Sequence, residues 1–196
     1  MRALHCLAFA SLLAATAAVH AASATYTLDP DHTQVRLTWN HFGYSNPSAN
    51  IGLASGTLVF DPAHPERASV QVSMHISSLD THVAALDSHL QQADFFDAAK
   101  YPQATFKSTR VQALGAGKFK VSGELAVHGV VRPIVLDATL NRVGVHPMTK
   151  VQSIGFDATT QLKRADFGVG AYVPDVSDEI RVHITSEGSV AGAPKP

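Results

Sequence analysis

Eleven of the 196 residues are histidines, the side chain that binds metals and titrates near neutral pH, so their spacing is the first thing to weigh. His75, His82 and His89 recur at intervals of seven, but no H-x-x-x-H or H-E-x-x-H pair sets two imidazoles on one helical face. Solvent-facing or singly hydrogen-bonded histidines account for the pattern better than a metal site does. His75 and His183 take polar positions in alternating segments, whereas His41 follows Trp39 on the apolar parity and is expected to point inward. Acidic groups such as Asp29 with Asp31, or Asp175 with Asp178 and Glu179, could perform acid and base work across a cleft. They lie among turn formers, where capping is the ordinary role. There is no G-x-S-x-G elbow and no S-x-x-K, and the one cysteine is Cys6. Gly168 and Gly170 precede no helix that could cradle phosphate. No local pattern calls for a catalyst, a metal or another required cofactor.

The elements that must position these residues repeat every second residue, the period of a strand with one buried face. Val35, Leu37 and Trp39 alternate with polar neighbours, as do Val70, Val72, Met74 and Ile76. The same register runs through Phe119, Val121, Leu125 and Val127, then Ile134, Leu136, Ala138 and Leu140, and again Ile180, Val182 and Ile184. Further strands fit residues 56–60, 105–111 and 152–162, with Asn46-Pro47, Asp61-Pro62, Gly115-Ala116-Gly117, His128-Gly129 and His146-Pro147 as turns between them. About eight strands at this spacing predict an all-β fold, an antiparallel sandwich or a closed barrel. An eight-stranded barrel is just wide enough to be filled by side chains or to hold one slender ligand, and periodicity leaves both open. Residues 81–100 depart from the pattern, with Val83, Leu86, Leu90, Ala93 and Phe96 near helical spacing. One or two short helices are expected there, ended by Tyr101-Pro102.

Fifteen Lys and Arg against sixteen Asp and Glu give a formal charge of -1, so there is no broad basic field to hold nucleic acid. The chain is long enough to bury a core without disulfides or a structural metal. Met1 and Arg2 are followed by an almost wholly apolar run at 3–19 and then by small residues, the pattern of a secretory signal peptide. That run is shorter than the roughly 20 residues that span a bilayer. The expected organisation is a removed leader over 1–24, with cleavage after 21 as the alternative, one domain over 25–190, and a frayed tail over 191–196. Loss of the leader takes Cys6 with it, which leaves no thiol chemistry.

At residues 87–109 the run D-S-H-L-Q-Q-A-D-F-F-D-A-A-K-Y-P-Q-A-T-F-K-S-T closely resembles the central motif of the YceI-like family of exported lipid-binding proteins. His41-Phe42-Gly43-Tyr44-Ser45, the V-S-G-E-L-A-V-H-G-V run at 121–130, Lys163-Arg164-Ala165-Asp166-Phe167-Gly168 and Val176-Ser177-Asp178-Glu179-Ile180 extend the resemblance in the same order. The resemblance implies a periplasmic, lipocalin-like antiparallel barrel with a helical insertion around 81–100. Its long apolar tunnel would hold a polyisoprenoid or another long-chain lipid such as an isoprenoid quinone. Strand parity together with the resemblance names Leu37, Trp39, Phe42, Val72, Met74, Phe106, Leu125, Leu136, Phe156 and Val182 as tunnel liners. Asn40, His41, Arg164 and Asp166 are the candidates for a polar head group at the mouth. Two departures stand out: the family often has an arginine where this chain has Leu86, and an early glycine and phenylalanine look replaced by Ala49 and Ile51.

The expectation is a non-enzymatic carrier or store for a long-chain isoprenoid lipid, with no nucleic-acid partner. A transient membrane contact and a homodimer are both compatible with it. The competing readings are an enzyme or handling factor working through His41 and Arg164, and a solid-cored interaction module without a ligand.

Overall fold

Alternating residues build the wall directly in the computed structural model, which describes residues 23–190 and 192. The expected leader, apart from its last two residues, and all of the expected tail but Gly192 lie outside the described residues. The strands are β1 (Ala24–Leu28), β2 (Gln34–Thr38), β3 (Ser48–Phe60), β4 (Ser69–His75), β5 (Gln103–Gly115), β6 (Lys118–Val127), β7 (Val130–Val145), β8 (Gln152–Lys163) and β9 (Glu179–Val190).

From β3 to β9 each strand pairs antiparallel with the next. β1 and β2 share a single place in the wall: Tyr26 faces Leu58 of β3 and Val190 of β9, and Leu37 faces Ala49 and Val182 of the same two strands. Eight positions therefore close into one antiparallel barrel, in which β7 pairs with β8 only from Asp137 to Val145 and pairs over Val130–Leu136 with β6 alone.

Two parts of the wall were not expected from periodicity. The first half of β3, Ser-Ala-Asn-Ile-Gly-Leu-Ala-Ser, is rich in small residues of low strand propensity. It is extended because β2 pairs with it from Gln34↔Gly52 to Thr38↔Ser48. β1 is only five residues long, yet Tyr26 is 2% exposed and anchors it.

The region 81–100 contains one α-helix, α1 (Ala84–Leu90). It stops short of Ala93 because the chain folds back on itself: the Phe96 and Ala98 amides donate to the Leu90 and Gln91 carbonyls, and Asp97 donates to Gln92. The reversal buries Phe95 and tucks Phe96 against the barrel, a gain in apolar burial that further helical turns would forgo.

The strand order fixes two ends. The connections 39–47, 76–102, 128–129 and 164–178 all lie at one end of the barrel, and 61–68, 116–117 and 146–151 lie at the other.

Candidate binding cavity

The inward parity of the strands encloses a cavity of about 580 Å³, within the usual range for a small-molecule site. Its wall is almost entirely aliphatic and aromatic. Val35, Leu37 and Trp39 contribute from one stretch of chain, Val70, Val72 and Met74 from β4, and Ile180, Val182 and Ile184 from β9. All ten apolar residues named from the sequence as tunnel liners are among the lining residues.

The far end is stopped by three rings packed edge to face. Phe60 lies 6.3 Å from Phe119 and 5.7 Å from Phe156, and the last two are 6.1 Å apart. Such pairs are each worth about 0.5–1.5 kcal/mol beyond the area they bury. Phe60 and Phe119 are buried in the same cluster as Tyr26, Leu58 and Ile154.

The opposite end is framed by two flaps, 39–47 and 164–178, bound to one another. The Phe42 amide donates to the Asp175 carbonyl at 2.9 Å, and Ser177 and Asn40 exchange two hydrogen bonds, at 3.0 and 2.9 Å. α1 and its return turn complete the rim: Tyr172 stacks on Phe95 with centroids 6.2 Å apart, and His89 meets Phe95 edge to face at 5.2 Å. Asp87 fixes the approach to the helix by accepting hydrogen bonds from both the Thr81 hydroxyl and the Thr81 amide, at 2.6 and 2.7 Å. Those bonds, the hydroxyl's first, hold its ionisation below the ordinary carboxylate value.

The four residues expected to meet a polar head group divide. His41 lines the mouth while remaining largely exposed, and its ring packs edge to face on Phe42 at 4.6 Å. Arg164 also lines the cavity, but its guanidinium serves the protein. Nε donates to the Ser177 carbonyl, one terminal nitrogen to both Val169 and Ala171, and the other to Val176, all at 2.7–2.9 Å. Of its five N–H donors one is left over. Burial pushes its ionisation below the ordinary guanidinium range, opposed by the charge of Asp178.

Asn40 and Asp166 do not line the cavity. The Asn40 side chain turns back on its own flap and accepts the Gly43 amide at 2.8 Å. Asp166 sits on the exposed side of the short 3-10 turn Arg164–Phe167, whose buried residue is Phe167. Alternation has no meaning in such turns, so parity could not place these two.

One polar atom at the mouth was missed. His89 lines the cavity, and its buried Nε2 makes no hydrogen bond, although Asp94 Oδ2 stands 3.5 Å away. Its place in the 87–109 motif was the available signal. Leu86, at the position where an arginine is common, is half-buried and lines the same mouth, and Ala49 and Ile51 are buried in the wall. Among the described residues no three His, Cys, Asp or Glu side chains converge as metal ligands, and no helix is long and apolar enough to cross a membrane.

The family model described as the YceI-like domain matches residues 26–187. The chain is 34% identical over 184 residues to Protein YceI of Escherichia coli O157:H7, covering 93% of this chain and 94% of that protein. The crystal structure of Burkholderia cenocepacia BcnA superposes with a TM-score of 0.73 at 24% identity, covering 82% of this chain and 98% of that one. A polyisoprenoid binding domain from Saccharophagus degradans, implicated in plant cell wall breakdown, superposes with a TM-score of 0.64 at 16% identity, covering 84% and 98%. At those identities the two structures speak to the fold alone.

Proposed function

We propose, because this chain belongs to the YceI-like family, that it binds a polyisoprenoid or another long-chain lipid, such as an isoprenoid quinone, and carries or stores it in the periplasm. The observation that carries this reading is the cavity: about 580 Å³, walled by hydrocarbon, stopped at one end by three phenylalanines and framed at the other by two flaps hydrogen-bonded to one another. A slender apolar chain gains roughly 25 cal/mol for each Å² it removes from water, so such a wall can hold it without charges. The Saccharophagus domain that shares this fold is a polyisoprenoid binding domain. His41 and His89, whose Nε2 makes no hydrogen bond and stands 3.5 Å from Asp94 Oδ2, would meet a polar end at the mouth.

We read the protein as a carrier that needs no cofactor. Four of the five Arg164 donors are spent on flap carbonyls, and a carrier needs only a wall and a mouth. The charged, then apolar, then small-residue start of the sequence supports export.

The test is to express the full chain in a Gram-negative host, purify it from the periplasm, and analyse it by native mass spectrometry and by organic extraction. A long-chain lipid near one per protein is expected. Repeated preparations without stoichiometric lipid would overturn the proposal.

A further inference from the structure

Of ten large apolar side chains exposed among the described residues, five stand on the mouth: Phe42, Tyr44, Val83, Tyr172 and Val173. Tyr44 is 92% exposed, Tyr172 61% and Phe42 50%. Phe42 and Tyr172 also line the cavity, so the exposed surface is continuous with the apolar interior. The patch is held together by bonds already described, Phe42 to Asp175 across the flaps and Tyr172 onto Phe95 beside α1. An aromatic cluster of this kind on a polar protein marks a docking surface.

Charge selects the occupant. The connections at the mouth carry Asp80, Asp87, Asp94, Asp97, Asp166, Asp175 and Asp178 against Lys100 and Arg164, a formal charge of -5 in a chain whose total is -1. Asp80, Asp94, Asp166 and Asp175 are exposed, while Arg164 is turned inward on carbonyls. The strand-end charges Lys163 and Glu179 face each other and cancel, and Arg181, whose guanidinium donates to Asn46 Oδ1 on the 39–47 flap at 3.4 Å, leaves the mouth at a formal -4. The connections at the far end are balanced, with Asp61 and Glu66 against Arg67 and Lys150. A second copy presenting its own mouth would meet the same negative charge, and so would a bilayer rich in anionic lipid.

We infer that the mouth is a docking surface for a protein whose contact face has an apolar centre flanked by lysine and arginine. The aromatic rim supplies the buried centre of the contact, and the surrounding carboxylates supply orientation and rate of encounter. Docking needs only the exposed aromatic rim and the carboxylates around it. That the partner loads or empties the barrel rests on the proposed lipid function.

The experiment uses the mature chain, labelled with nitrogen-15, and two amphipathic helical peptides of leucine with lysine or of leucine with glutamate. Neutral phosphatidylcholine vesicles and vesicles enriched in phosphatidylglycerol are run alongside. The leucine–lysine peptide is expected to shift amides at Tyr44, Val83, Asp94 and Asp175. Asp80→Asn, Asp94→Asn and Asp175→Asn together are expected to weaken it about tenfold, and Tyr44→Ser alone several-fold. Equal binding of the glutamate peptide, shifts spread over the barrel wall, vesicles engaging the mouth as tightly as the lysine peptide, or dimerisation through the mouth would each overturn the inference. Binding that ignores Tyr44→Ser would also overturn it, because charge alone would then explain the contact. Lipid extracted from the same samples separates the two proposals: a docking mouth on an empty barrel retains this one and removes the other.

Discussion

The ring of Phe106 covers Gly123 so closely that a β-carbon built on that glycine would stand 2.4 Å from Cζ and 2.6 Å from the Lys107 carbonyl oxygen. Gly123 lies on the inward parity of β6, between Val121 and Leu125, and its missing side chain is the slot in which Phe106 lies. Gly123→Ala is expected to cost about 1–3 kcal/mol, because backbone as well as ring must shift. A urea melt of the lipid-free protein measures this. An unchanged midpoint would show that Phe106 has another resting place.

The three rings at the far end make a different prediction. Phe156→Ala removes one ring from the cluster, at a cost of about 3–5 kcal/mol if the space stays empty. The cavity deepens, so the lipid recovered by extraction should shift toward longer chains. Mass spectrometry of wild type and variant from one host gives the comparison, and identical chain-length distributions would place the cavity's limit elsewhere.

Arg164 binds the carbonyls of Val169, Ala171, Val176 and Ser177 with a planar fork that lysine cannot reproduce. Arg164→Lys should leave most of those bonds unmade while the barrel stays closed. The expected signature is faster hydrogen exchange confined to 169–178 and its neighbour flap. Exchange rising evenly over the strands would instead mean that the residue supports the whole fold.

Two ion sites give opposite pH dependences. Asp87 is held below its ordinary value of about 3.8 by the Thr81 hydroxyl and amide, so its contribution is complete above that value and fades as pH falls through the lower, folded one. Thr81→Val should raise the Asp87 titration seen by carbon NMR and remove that part of the acid-side slope. His32 is raised above 6.5 by its hydrogen bond to Asp29 and by that carboxylate's charge. Its contribution is complete below 6.5 and lost as pH rises through the folded value. His32→Asn should therefore lower stability on the acid side of neutrality and become indistinguishable from wild type well above it.

Sequence periodicity was a good guide to the wall and a poor one to the mouth. Alternation puts residues such as Val72, Met74, Leu136 and Val182 on the inward face, because a strand offers two faces and closure buries one, and the resemblance makes that face a tunnel wall. Ser48 to Ser55 could not be recognised that way, since its extension depends on a partner strand. At the mouth, what the Arg164 side chain does depends on carbonyls five to thirteen residues away in an irregular flap. The resemblance marked its segment without revealing that use. His89, Phe95 and Tyr172 meet only after α1 ends early and the chain reverses, an event set by the burial of two phenylalanines rather than by helix periodicity.

If the barrel carries a lipid as proposed, Phe60, Phe119 and Phe156 also decide the order of traffic. A vessel stopped at its base admits and releases cargo through the same opening, so whatever enters last must leave first. The end of the molecule nearest the flaps is then the handle that any acceptor grasps. Discrimination between one passenger and another can be exercised at that threshold, by groups that never touch the rest of its length.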